Sequence, residues 1–332
     1  MTIYRKIMSK KDENSSEIDS TRKNSNLTNA KIAKNDEFYT QYGDIEKEIN
    51  AYLEYNPDVF KNKTLLLPCD DPEWSNFTKY FAQNFERLGL KKLISTSYAP
   101  DSKNYKTNYQ PTLLEINDPQ FDRTKTIKNG KIFTLDHDKT GDGKIDVDDL
   151  EWCYLTNDGD FRSDEIKALR DEADIIITNP PFSLFREFLA WIAEAEKLFV
   201  IIGNMNAITY KEVFPLIMQN KLWLGASIHS GDREFRVPDS YPLKASGYRI
   251  DENGVKYIRV KGVRWFTNID YAVRHEKLVL YKQYHGHEDE YPKYDNYDAI
   301  NVDKTSEIPC DYFADIGVPI TYLDKHNPDQ FE

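Results

Sequence analysis

Asn179, Pro180, Pro181 and Phe182 constrain what this chain can fold into more than any other stretch of it. They follow Ile175, Ile176, Ile177 and Thr178, a run of branched side chains of the kind that fills a parallel strand buried on both faces. Two consecutive prolines neither continue a strand nor supply backbone donors, so the chain must leave the sheet there in a fixed shape. Leu184, Phe185, Phe188, Leu189 and Ile192 then recur at helical spacing. The unit is strand, rigid loop, helix. In an open α/β sheet, ligands bind beyond the carboxyl ends of the strands.

A loop of this composition suits a flat molecule that carries an amine. The Asn179 side-chain oxygen and the Pro180 carbonyl can both accept from one exocyclic amine, and the Phe182 ring can stack on the heterocycle. Two acceptors draw the lone pair of that amine out of conjugation and towards an electrophile, without a strong base. The bland alternative is a proline-capped loop with Phe182 in the core. The stretch resembles the catalytic motif of amino-methyltransferases that use S-adenosylmethionine.

Strand and helix signals alternate on both sides of this unit. Thr64–Leu67, Lys92–Tyr98, Lys197–Asn204 and Leu222–Gly225 read as strands. Helices are expected after Ile45, after Ser75 and over Ser163–Glu172. A further helix to about Asn220 is expected to open on a capping box at Thr209–Glu212. This predicts an α/β fold with a doubly wound, mostly parallel, seven-stranded sheet. Val263–Ile269 and Lys277–Tyr284 read as its closing antiparallel strands. Three regions are expected: a disordered polar tail over 1–34, a cofactor-binding and catalytic core over 35–225, and a target-recognition region with the closing strands over 226–332.

The loop after the first strand lacks the glycine fingerprint of dinucleotide enzymes and carries Asp70 and Asp71 instead. Carboxylates there suit a cationic ligand and disfavour one with phosphates. Helix capping is the plain alternative for Asp71 or Ser75. No 18-residue apolar run marks a membrane span, and no apolar segment marks a signal peptide. Cys69, Cys153 and Cys310 lie far apart, without metal-site spacing, as expected of reduced thiols in a cytoplasmic protein.

Asp138–Asp149 fits the twelve-residue calcium-loop pattern and resembles the loops of dockerin modules. Its ligands would be Asp138, Thr140, Asp142, the Lys144 carbonyl and Asp149, with a structural role. The plainer reading is a Gly-Asp-Gly turn between strands Lys131–Leu135 and Lys144–Val147.

The formal net charge of -12 argues against a nucleic-acid binder only on average, because a local basic face suffices. From residue 226 onward basic and aromatic residues interleave. Arg233, Arg236, Lys244, Arg249 and Arg264 are the candidate DNA contacts, with Lys256, Arg259 and Lys261 among them. An exposed hairpin around Asp251–Gly254 is the plain alternative.

Asp36–Gln41, Cys69–Pro72 with Ser75–Phe77, Gly159–Ser163, Thr178–Arg186, Ile208–Phe214, Tyr291–Asn301 and Gly317–Leu323 occur in this order. Together they resemble the EcoRI-type DNA adenine methyltransferases, from about residue 36 to the end. The resemblance implies a monomeric enzyme that uses S-adenosylmethionine, flips adenine out of duplex DNA and methylates its exocyclic amine, protecting the site from a partner endonuclease. It implies that Phe38, Tyr39 and Thr40 cover the methionine end of the cofactor, that Asp160 accepts from the adenine amine of the cofactor and that Phe161 packs on that ring. Two departures stand out: the calcium-like loop is an insertion, and the family pattern leads one to expect sequence beyond Glu332. Rival readings keep the chemistry on an RNA base or a protein glutamine amide, or make the chain a non-catalytic, calcium-dependent interaction module.

Overall fold

The computed structural model describes residues 38–71, 75–99, 118–229, 231–237, 241 and 247–332. The polar tail and Lys244 lie outside the described residues. The short apolar runs form the centre of the fold. β1 (Thr64–Leu67), β2 (Lys92–Ser97), β5 (Ile175–Thr178) and β6 (Leu198–Asn204) pair in parallel in the order β2-β1-β5-β6. All four residues of β1 and of β5 are buried, as expected of a sheet covered on both faces.

The pleat splits these side chains between two cores. Leu65, Leu67, Ile175, Ile177, Val200 and Ile202 face one layer, which is closed by α1 (Tyr42–Tyr55) and α2 (Asn76–Gln83). Leu66, Ile176, Phe199 and Ile201 face the other, closed by α5 (Asp164–Glu172) and α6 (Phe185–Glu194). Ser75 caps α2 and Ser163 caps α5, each accepting from a backbone N–H of the first turn. Two short helices, α3 (Phe85–Leu88) and α4 (Arg123–Lys128), lie between α2 and β3, and α7 (Phe214–Met218) follows β6.

The sheet has eight strands, in the order β4-β3-β2-β1-β5-β6-β11-β7. β3 (Lys131–Leu135) and β11 (Val263–Thr267) run against their neighbours, and the others share one direction. The doubly wound, mostly parallel sheet is therefore present, with one strand more than expected. The region before Asp160 adds two strands, β3 and β4, while the expected Lys277–Tyr284 strand is absent; β4 (Glu151–Tyr154), not Lys144–Val147, pairs with β3. β7 (Trp223–Leu224) closes the far edge beside β11.

Two expected elements differ. Thr209 does not cap a helix; its hydroxyl donates to the Asn206 carbonyl (2.9 Å) inside a 3-10 turn, and α7 starts only at Phe214. Pro215 favours that start, since its ring fits a first helical turn. Lys277–Tyr284 is not a sheet strand, because β7 already occupies the edge next to β11. Val279 and Tyr281 are instead 79% and 66% exposed, while Leu278, Leu280 and Tyr284 pack on a small separate core around Tyr291, Ile300, Val302, Ile308 and Tyr322.

Beyond residue 225 the chain contributes to more than one body. β11 completes the main sheet, whereas β8 (Asp232–Arg236), β9 (Tyr248–Ile250) and β10 (Lys256–Lys261) form an antiparallel sheet of their own, in the order β8-β10-β9. The expected hairpin around Asp251–Gly254 joins β9 to β10, with Gly254 at φ +80°. The last three strands, β12 (Lys293–Tyr294), β13 (Tyr297–Asn301) and β14 (Ile316–Gly317), form a third sheet. Among the described residues no helix is long and apolar enough to cross a membrane.

Candidate active site

The carboxyl ends of β1 and β5 lie side by side, and the loops that leave them meet. Asn179 follows β5 directly. Its side-chain nitrogen donates to the Phe38 carbonyl at 2.5 Å, while its oxygen is buried and has no hydrogen-bond partner. The nitrogen faces a carbonyl, which fixes the amide's orientation and leaves the acceptor end open. A buried acceptor without a donor is costly, which makes it a natural place for a ligand's N–H. Pro180 beside it is buried.

Phe182 is half-buried and stands edge-on to Phe38 (5.6 Å between ring centroids, 81°) and to Phe235 (6.4 Å, 89°). Tyr241 meets Phe38 at 6.3 Å. Aromatic rings from the N-terminal segment, the proline loop and β8 thus gather around the amide.

The segment Phe38–Thr40 crosses this site as a strap held at three successive residues. Phe38 accepts from Asn179. Tyr39 exchanges backbone hydrogen bonds with Arg236 of β8 (2.9 and 3.2 Å). The Thr40 carbonyl accepts from the Asn76 side chain at the start of α2 (2.7 Å). The Thr40 hydroxyl is buried without a partner, like the Asn179 oxygen.

Asp70 joins the loops of β1 and β5. Ser75 donates to one carboxylate oxygen (2.7 Å) and Thr178 to the other (2.5 Å). Thr178 also lies 2.7 Å from the Pro68 carbonyl, while Thr78 (3.0 Å) and Ser95 donate to the Asp70 carbonyl. Burial pushes the Asp70 carboxyl up to about 7, against the opposing pull of the Thr178 and Ser75 hydroxyls. Among the described residues no cation pairs with it. Asp71 is half-buried at the mouth of the same loop.

The turn after β4 brings Asp160 alongside β2. Arg162 grips it with a two-pronged contact (2.8 and 2.5 Å), and the Tyr98 hydroxyl reaches it at 3.3 Å. Burial would raise the Asp160 carboxyl, but the Arg162 contacts outweigh it and hold the group below its usual range. Phe161 corrects an expectation. Its ring is 3% exposed and wedged against Phe188 (5.1 Å) and Trp191 (5.7 Å), which makes it part of the core with little surface for an adenine to cover.

The basic candidates do not share one surface. In β8 the pleat turns Arg233 to the same inner side as Phe235, opposite Val260, and its buried Nε has no partner. Arg236 lies on the outer side, opposite Tyr257. Arg249 also points outward, but Glu234 neutralises it (2.7 Å) and its guanidinium lies over the Tyr257 ring at 4.2 Å. Arg264 is a second correction. It is 4% exposed on β11, with all five residues of that strand buried, and its guanidinium serves the Val263 and His229 carbonyls and Asp324. Arg264 is an internal cation, not a surface contact.

The residues of the calcium-like loop are engaged with the loop's own backbone. Asp138 spends its oxygens on the N–H groups of Gly141 (2.6 Å) and Gly143 (2.8 Å), Asp142 on that of Lys144 (2.9 Å), and Asp149 on those of Lys139, Thr140 and Asp146 (3.0, 2.9 and 3.0 Å). Among the described residues no group of three or more His, Cys, Asp or Glu could hold a metal. The loop is a turn tied down by its own carboxylates.

The residues present fit S-adenosylmethionine. The orphaned Thr40 hydroxyl offers the strap a partner for a polar methionine end, and a buried carboxylate without a cation suits a ligand with an ammonium and a sulfonium. Sequence reasoning missed the hydroxyls of Ser95 and Thr178, the fork of Arg162 and the ring of Phe235. Only the two hydroxyls left a signal, as polar residues inside otherwise apolar strands.

Comparison with known proteins agrees with this geometry. A model of the family described as adenine-specific methyltransferase EcoRI matches residues 26–332. The Type II methyltransferase M.EcoRI of Escherichia coli is 47% identical over 306 residues, covering 92% of this chain and 87% of that protein. M.MpnI of Mycoplasma pneumoniae, also a Type II methyltransferase, is 35% identical over 306 residues, covering 91% and 83%. No solved structure matches. A match across nearly the whole length, joined to an Asn-Pro-Pro-Phe loop at the carboxyl end of a central strand, shows that the chain belongs to the EcoRI family of adenine-specific methyltransferases.

Proposed function

We propose that this chain methylates the exocyclic amine of an adenine at a specific site in duplex DNA, with Asn179 as the residue on which the reaction turns. The observation that carries the reading is the Asn179 amide, whose donor end is taken by Phe38 and whose acceptor end is buried and unpaired.

When bound, S-adenosylmethionine supplies an electrophilic methyl group on a positively charged sulfur. Thr40 and Tyr39 hold its methionine end, and the Asp70–Asp71 loop provides the negative field that a cation needs. Asp160, already held by Arg162, would accept from the adenine amine of the cofactor. The target adenine must leave the DNA stack to reach the loop. Asn179 Oδ1 and the Pro180 carbonyl then accept from its amine, while Phe182 packs on the ring. Both acceptors favour the amine's lone pair as nucleophile, and the surplus proton passes to solvent after transfer. Pro181 keeps the loop rigid, so the acceptors need no reorganisation.

The relatives named Type II methyltransferases support a biological role in restriction-modification. In that role the protein acts as a monomer in the cytoplasm and protects the sites cut by a partner endonuclease. A polynucleotide is favoured over a protein amide by the basic outer face of the β8–β10 sheet next to the strap, and duplex DNA over RNA by the family to which the chain belongs.

The test uses labelled S-adenosylmethionine and mixed duplexes. Asn179→Ala is expected to lower the single-turnover transfer rate by at least about 100-fold while cofactor affinity stays within about threefold. A variant that methylates at a near-normal rate would overturn the role given to Asn179.

A further inference from the structure

The strap ties three functions together through consecutive residues. Phe38 orients the catalytic amide, Tyr39 is stitched by two backbone hydrogen bonds to β8, and Thr40 is tied to the start of α2. A backbone bridge transmits displacement stiffly, because both bonds must shift together. β8 belongs to the small sheet whose outer face carries Arg236, Arg249, Arg259 and Lys261, so whatever that sheet grips is linked to Asn179 through two residues of chain.

Phe235 reinforces the same link from the side-chain direction. It is 2% exposed, lies on the inner face of β8 opposite Ile258, and meets both Phe38 (5.8 Å) and Phe182 (6.4 Å). Phe38 and Phe182 meet each other as well. The three rings form a closed triangle. One corner carries the carbonyl that holds Asn179, one is the ring that meets the target base, and one stands on the recognition sheet. Moving Phe235 shifts both of the others.

We propose that the Phe38–Thr40 strap is a junction through which β8 sets the orientation of Asn179, and that Phe235 is a positioning residue for methyl transfer. This rests on the reading of Asn179 above. Phe235 touches neither the reacting nitrogen nor the methyl group. It keeps the Phe38 carbonyl and the Phe182 ring in the relation that presents a free amide oxygen to a flipped base. Displacements of a fraction of an ångström at such a site cost large factors in rate, while ground-state binding is little affected.

Single-turnover methylation of a duplex carrying the recognition site separates the outcomes. The rate constant reports alignment per active molecule, and the amplitude reports the fraction correctly folded. In Phe235→Leu the rate constant is expected to fall about tenfold, with amplitude and S-adenosylmethionine affinity within about twofold of wild type. Phe235→Met refills most of the volume and keeps the β8 packing, so a folded protein with a deficit of about threefold is expected. Loss of amplitude at an unchanged rate constant would mean that Phe235 only stabilises the fold, and would overturn the proposal. A fall in cofactor affinity in proportion to the rate would overturn it too, placing the triangle with the cofactor instead. Asn179→Ala runs alongside. If it is inactive while both Phe235 variants transfer at the wild-type rate, the junction fails and the role of Asn179 stands. If Asn179→Ala is active, both fail.

Discussion

Asp70 should make the stability of this protein depend on pH in an unusual direction. In the unfolded chain it ionises near the ordinary aspartate value of 3.8, and in the fold at about 7, because burial disfavours its charge more than Thr178 and Ser75 favour it. The folded state therefore keeps a proton that the unfolded chain gives up between those values. Its contribution to stability is complete below about pH 4 and is lost as pH rises through about 7. Each pH unit of that interval is worth about 1.4 kcal/mol, so the loss between pH 5 and 8 is about 3 kcal/mol. Asp70→Asn keeps the shape and cannot ionise. Its amide can still serve both hydroxyls, accepting from one and donating to the other. Melting temperatures of wild type and variant, compared at pH 5 and pH 8, isolate this group, since every other carboxylate cancels in the difference. The variant is expected to gain about 5 °C on wild type between the two conditions, at about 2 °C per kcal/mol for a chain of this size. A difference that does not change with pH would refute the reasoning, because it would mean that Asp70 ionises alike in both states. The gain should come with a functional cost. Above pH 7 the ionised carboxylate is the negative charge available to a cationic cofactor, and S-adenosylmethionine affinity should rise with pH in wild type but not in the variant.

Arg264→Ala should lower stability by about 3 kcal/mol in denaturant titration, since it empties the buried place of a side chain that serves the Val263 and His229 carbonyls and pairs with Asp324, and should leave the salt dependence of DNA binding unchanged. Arg259→Ala, on the exposed outer face of β10, should do the reverse, lowering the slope of log affinity against log salt by about 1 with little change in stability. Gly159→Ala places a methyl carbon 2.4 Å from the Ser97 carbonyl at a φ of +88°; a loss of about 2–4 kcal/mol is expected, read by thermal melting.

The parts of the fold that could be read from sequence are those whose signal is local. Ile175–Thr178 and Thr64–Leu67 are short apolar runs bounded by proline loops, and burial on both faces is the only economical use of them. Ser75, Ser163 and Gly89 punctuate helices by rules that need only a few neighbours. The misses have a common physical cause. Arg264 looked like one more cation in a basic region, yet it sits between Val263 and Trp265 in a strand buried along its whole length, where an Arg must find partners inside. The acidic loop fits a metal pattern and a self-capped turn alike, because the same spacing lets carboxylates cap backbone N–H groups, and composition does not distinguish the two uses. The contacts of the strap were not legible, because its partners, Asn179 and Arg236, are far away in sequence.

The acidic charge of the chain and its work on DNA are reconciled by the pleat of one small sheet. Strands β8, β9 and β10 carry Arg233, Arg236, Arg249, Lys256, Arg259 and Lys261 against only Asp232 and Glu234. Alternation divides them. Arg233 and Lys256 turn inward with Phe235, Ile258 and Val260, while Arg236, Arg249, Arg259 and Lys261 turn outward with Tyr257. Glu234 absorbs Arg249 and fixes it over the Tyr257 ring, so the outer face is a patterned surface rather than a uniform positive field. A protein with a net charge of -12 gains little from long-range attraction to phosphate, and its grip on DNA must come from such a local array at short range. The array spans all three strands, and one of its members, Arg236 of β8, is the residue stitched to Tyr39. Were DNA held anywhere else, a separate device would be needed to tell the active site that a target was present; here Arg236 of β8 is hydrogen-bonded to Tyr39, the chain neighbour of the Phe38 whose carbonyl holds Asn179.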